Sequence, residues 1–212
     1  MQSVFVEKPK FDRALVTSAA DCDAFEGYAE GHSLAMAEVI GELASRFGFD
    51  EHDRKTLQQA TLIRNIGERI MNREYIAEAR ILTAAERTDL QRHPVIGEQA
   101  VAKLGLSRAA QLIVRWHHEH WNGSGYPDAL EGGQIPLAAR LLRVVDTYYS
   151  LLNSRPFRAA MSVELAKKHL IDWTAIEFDP AVVQLFFEIL ETAAIKTAEL
   201  PSHEISVEPV AI

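Results

Sequence analysis

His117 and His118 stand side by side in QLIVRWHHEHW, close to the end of a stretch with helical apolar spacing. Neutral imidazoles ligate divalent ions such as zinc, iron and manganese, so an adjacent pair on an inward edge is a candidate ligand pair. Adjacent helical residues diverge by roughly 100°. Both histidines reach one ion only if it sits across their shared edge, and Ile113, Trp116 and His117 share the face expected to point inward. The plainer alternative is one buried, hydrogen-bonded histidine beside an exposed neighbour. Asp146 lies in the apolar run LLRVVDTYY. A buried carboxylate needs a partner, and the candidates are Arg143, one turn back, or a metal. His93 precedes Pro94, on the face continued by Gly97, Ala100 and Leu104, and His32 falls on the core face of an earlier helix. Inward polar residues contributed by four helices are how metal sites in helix bundles are built.

Those helices are legible from period and punctuation. Apolar residues recur at helical spacing from about Asp23 to Phe47, where Gly48 is placed to end the run. A second helix is expected over about 53–70. Thr83 and Glu86 form a capping box that starts a third, which Pro94 interrupts before a further helix ending near Leu104. Ser107 caps a helix expected to reach His118 or His120, and Pro136 opens one running to about Asn153. Segments 162–173 and 180–198 read as the last two. Between Trp121 and Ile135 lies one long loop, WNGSGYP and beyond, dense in glycine, with Tyr126 and Pro127 expected as a rigid lip. No strand alternation appears, so the class is all-α: a bundle of about seven helices over residues 21–199, with 1–20 as an arm or linker and 200–212 as a tail.

Composition narrows the function. At 212 residues the chain can bury one sizeable core. A net charge of −8 with no long basic stripe argues against a nucleic-acid polymer as partner, although a local arginine cluster could still hold a small phosphorylated ligand. The single cysteine, Cys22, forms no internal disulfide, and neither a signal peptide nor a membrane span is seen, so a cytoplasmic protein is expected.

The stretch from His117 to Arg158, HHEHWNGSGYPDALEGGQIPLAARLLRVVDTYYSLLNSRPFR, resembles the signature of the HD-GYP family, a branch of the HD metal-dependent phosphohydrolases. His93 in RHPVIGEQ, His32 and Phe178-Asp179-Pro180 also match, so the resemblance covers roughly residues 23–195. It implies an all-helical HD-domain bundle and hydrolysis of cyclic di-GMP by a cluster of divalent ions: iron, manganese or zinc. His93, His117 and His118 would hold one ion, with His32 and Asp146 belonging to a neighbouring one. Arg155 and Arg158 would contact ligand phosphates. The Gly125-Tyr126-Pro127 loop would meet a partner GGDEF-domain protein.

One departure is severe. The His-Asp pair that names the family falls in LIRNIGE, where Arg64 and Asn65 stand instead and Glu68 replaces a lysine. Tyr149 and Tyr28 stand where relatives carry acids. Asn is a weak ligand for hard cations, and Arg64 brings a fixed positive charge to a cation's place. Arg64 and Glu68, spaced i and i+4, would either pair with each other, or leave Arg64 to replace metal charge and bind phosphate beside Arg155 and Arg158. The expectation is a degenerate domain of cyclic di-GMP signalling, sub-stoichiometric in metal, that binds ligand or docks a partner with impaired hydrolysis. The alternative is an active metal-dependent phosphodiesterase acting on cyclic di-GMP or a related phosphoester.

Overall fold

The computed structural model describes residues 11–155 and 158–198. Among these described residues ten helices follow one another: α1 (Arg13–Glu26), α2 (His32–Arg46), α3 (Glu51–Leu62), α4 (Ile66–Met71), α5 (Ala84–Leu90), α6 (His93–Lys103), α7 (Arg108–Trp116), α8 (Leu137–Leu152), α9 (Val163–Asp172) and α10 (Pro180–Ala198). Short 3₁₀ turns occupy Glu74–Ala77 and Gly132–Gln134. Among the described residues, β pairing is limited to isolated bridges. The all-α expectation holds.

The helix count exceeds seven chiefly because two expected helices are each broken. The first breaks over 27–31, where Gly27 and Gly31 take left-handed φ values of 77° and 85°, a conformation that costs glycine little. Its first half starts at Arg13, capped by Asp12, inside the stretch expected to be an arm. Residues 1–10 of that arm and the 200–212 tail lie outside the described residues. The second breaks at 63–65, between α3 and α4. Residues 61–68 are all buried, which an amphipathic helix with one wet face does not do. This segment runs through the middle of the bundle, and the break turns both Arg64 and Asn65 inward.

α2 packs on α3 and α8, α3 on α7, and α6 on both α4 and α7. The shared core includes Met36, Ile40, Leu57, Leu62, Val101, Val114, Leu142, Val145 and Phe186. The capping box at Thr83 and Glu86, the Ser107 cap and Pro94 in the first turn of α6 stand as expected. At Gly67 any Cβ would run into the His93 carbonyl. This glycine is what lets α4 approach the start of α6.

Candidate metal centre

His93 opens α6 and His117 caps the end of α7. α7 stops at Trp116, short of the expected end. The angular conflict between adjacent helical residues therefore does not arise: His117 ends the helix and His118 lies in the turn beyond. The ring centroids of His93, His117 and His118 are 4.0–5.5 Å apart. One ligand atom from each lies within 4.8 Å of the others.

His93 Nδ1 is 2.8 Å from the Leu90 carbonyl, and His117 Nδ1 is 2.7 Å from the Val114 carbonyl. A carbonyl only accepts, so both Nδ1 atoms carry the proton and both Nε2 atoms carry the lone pair. Both Nε2 atoms are buried without a hydrogen-bond partner. Burial pushes the His93 pKa down to about 4 and the His117 pKa to about 3; His118 is also held well below its usual value. The neutral rings of His93 and His117, each oriented by a carbonyl behind it, are what a metal ion requires of histidine. The three histidines bring together ligand atoms that could hold one divalent ion.

The glycine-rich loop is built around this cluster. Glu119 accepts from the Asp128 and Leu130 amides at 2.7 and 3.0 Å. Asp128 receives two bonds from Arg115, at 2.6 and 2.7 Å, and one from Trp116 Nε1. A Cβ at Gly125 would collide with backbone of His118 to His120. Tyr126 donates its amide to the His118 carbonyl at 3.1 Å, and its ring stacks on His118 with centroids 4.9 Å apart. Tyr126, expected as part of a rigid lip, is thus a wall of the site.

The place expected for a second ion is filled by protein. Arg64 is 1% exposed. Its Nε–H donates to Asp146, and its Nη1 donates to Ser33 Oγ at 2.9 Å and to the Thr61 carbonyl at 3.3 Å. Ser33 in turn donates to Asp23 at 2.5 Å. Burial alone would raise the Asp146 pKa, but the Arg64 guanidinium overrides it and holds the carboxyl down to about 2. Asp146 is therefore partnered by Arg64 rather than by Arg143. Nor does Arg64 pair with Glu68. The helix break between α3 and α4 removes the i, i+4 register, and Glu68 instead sits with a carboxylate oxygen 3.9 Å from His93 Nδ1. His32 stacks on Tyr28 at 3.8 Å, with its pKa lowered to about 4 by burial and by Arg64. His32 Nε2 is buried without a hydrogen-bond partner, but among the described residues His32 and Asp146 do not join the converging group that the other three histidines form.

Asn65 donates to Glu26 at 2.9 Å, and Arg155 reaches the same carboxylate oxygen at 2.9 Å while lying over the Tyr28 ring. Arg158 binds the carbonyls of Ser150, Leu151 and Asn153 at the end of α8, groups a helix leaves unpaired. The guanidiniums of Arg155 and Arg158 thus have protein partners. Sequence reasoning missed Glu26, Ser33 and Glu177, whose importance comes only from what the fold brings to them. Asp179, in the matched Phe178-Asp179-Pro180, caps α10 and pairs with Arg140 at 2.6 Å.

Residues 15–182 match the HD domain family profile. The chain belongs to the HD domain family. Among curated HD relatives it is 30% identical over 195 residues to a cyclic di-GMP phosphodiesterase of Vibrio cholerae, covering 85% of this chain and 40% of that protein. It is 31% identical over 150 residues to the cyclic di-GMP phosphodiesterase response regulator RpfG of Xanthomonas campestris, covering 70% of this chain and 40% of that protein. The chain therefore spans about 40% of the length of these relatives. Its fold is similar to that of a cyclic GMP-AMP-specific phosphodiesterase of V. cholerae, with a TM-score of 0.69 at 17% identity over 89% of this chain and 50% of that one. It is also similar to the HD domain of the phosphodiesterase PgpH of L. monocytogenes, with a TM-score of 0.59 at 11% identity over 88% of this chain and all of that domain. HD domain phosphohydrolases are metal-dependent, and the three-histidine cluster is the candidate centre here. Among the described residues, no helix is long and apolar enough to cross a membrane.

Proposed function

We propose that this HD domain is a regulatory module of cyclic di-GMP signalling that binds the dinucleotide beside a single-metal centre, His93, His117 and His118, with hydrolysis impaired. The observation that carries the reading is the buried Arg64–Asp146 pair. A guanidinium stays charged at every accessible pH, so the second cation position is taken by a fixed charge that, unlike a metal ion, cannot coordinate and acidify a water. A two-ion clamp on the attacking and leaving oxygens of a phosphodiester has no second seat. Arg64 faces protein on all sides, which favours an internal charge over direct phosphate contact.

The chemistry supplied by a divalent ion on the three histidines is Lewis-acid polarisation of a phosphoryl oxygen and activation of water. The protein's part is to orient His93 and His117 through the Leu90 and Val114 carbonyls, and to wall the site with Tyr126. The ligand assignment rests on the relatives named for cyclic di-GMP.

Calorimetric titration of cyclic di-GMP, paired with product analysis in added manganese, tests this. The expected result is saturable binding without sustained turnover. Turnover that disappears in His117→Ala would overturn the proposal in favour of an active phosphodiesterase.

A further inference from the structure

We infer that Arg143 is a latch that withholds His118 from the metal centre. The inference rests on the reading of His93, His117 and His118 as that centre. Arg143, on α8, donates Nη1–H to His118 Nδ1 at 2.8 Å. Its Nη2 donates to Glu177, just before α10, and lies 3.5 Å from His120 Nε2. The guanidinium is thereby held between His118 on one side and Glu177 on the other, with its side chain 15% exposed.

The three histidines differ in what stands behind them. His93 and His117 each face a carbonyl, an acceptor, and so present a free Nε2 lone pair to the cluster. His118 faces a donor. Arginine has five N–H groups and no acceptor, so the contact is made only if His118 Nδ1 supplies its lone pair. A neutral imidazole has one such nitrogen; the other carries the proton. With Arg143 in place, His118 Nε2 is therefore N–H and ligates nothing. Ligation through Nδ1 would need the same lone pair that Arg143 occupies. Three-histidine coordination and the Arg143–His118 contact exclude each other.

Two states follow. With the latch closed, an ion has His93 and His117 alone. When Arg143 swings away, His118 completes a three-histidine set of the kind found in catalytic zinc sites. Arg143 is in this sense a positioning residue: it acts on the metal through the tautomer of His118.

The test is a chelator-competition titration of the full chain with Co²⁺, followed by its visible absorbance, in wild type, Arg143→Met, His118→Ala and the double variant. Arg143→Met is expected to tighten Co²⁺ about tenfold or more, the low end of what partners of metal-bound histidines confer. Loss of a nearby positive charge would also tighten binding, so the deciding quantity is the coupling. His118→Ala is expected to cost at least about tenfold more affinity in the Arg143→Met background than in wild type. Arg143→Gln, whose amide oxygen can accept from Nδ1–H, is a second variant expected to give the same sign. Equal losses on His118→Ala in the two backgrounds would overturn the latch while leaving the metal centre standing. Absence of Co²⁺ binding by every variant and by wild type would overturn both.

Discussion

Arg64 and Asp146 are 82 residues apart in the chain, yet the Arg64 Nε–H donates to an Asp146 carboxylate oxygen inside the bundle, tying the break between α3 and α4 to the middle of α8. Arg64 also holds Ser33, and through it Asp23, so one guanidinium gathers α1, α2, α3 and α8. A cation inside this fold is thus supplied by the chain itself.

Removing that cation alone should be costly. Arg64→Met leaves Asp146 buried and uncompensated and is expected to destabilise the protein by about 3–5 kcal/mol in urea denaturation. Arg64→Met combined with Asp146→Leu removes both charges and is expected to recover most of that loss. A double variant as unstable as the single one would contradict the pairing.

The close approach of α4 to α6 gives a second expectation. Gly67→Ala places a methyl group against the His93 carbonyl, which is backbone and has no rotamer to yield. Relief requires the two helices to part, at roughly 1–3 kcal/mol or more. Because His93 moves with the carbonyl, metal affinity should fall along with the melting temperature. A Gly67→Ala protein with wild-type melting and metal affinity would show that the contact is slack.

The arrangement of helices was readable where local rules decide it: the Thr83–Glu86 box, the Ser107 cap and Pro94 all stand where spacing placed them. The three histidines and Asp146 were also legible, by type and inward position. The partners were not. Spacing offers Arg143, one turn before Asp146, as one of two candidate partners beside a metal, but tertiary packing sends Arg143 to His118 and Glu177 and brings Arg64 to Asp146. The break at 63–65 was hidden because the apolar period continues across it. Residues 61–68 are buried on every side, so no polar face marks where the helix stops.

Cys22 offers a pH-dependent check on packing of α1. Burial, with Glu26 adding to it, pushes the thiol up to about 12. Only the thiolate reacts, and an unfolded cysteine ionises near pH 8.5. A raised pKa keeps the thiol protonated, so labelling by a disulfide reagent should stay at least about a hundredfold slower in the native protein than in urea at pH 8.5. It should remain slow to about pH 10. Native labelling that accelerates through pH 8–9 would mean α1 is not docked as described.

If Arg64 fills one cation seat, a single seat is left to a metal, on His93, His117 and His118. Metal analysis of protein saturated with manganese or iron and freed of excess by gel filtration tests it directly, with His93→Ala/His117→Ala and His32→Ala beside wild type. At most one ion per chain is expected, lost in the double histidine variant and retained in His32→Ala. Two ions per chain, or loss of metal in His32→Ala, would contradict it.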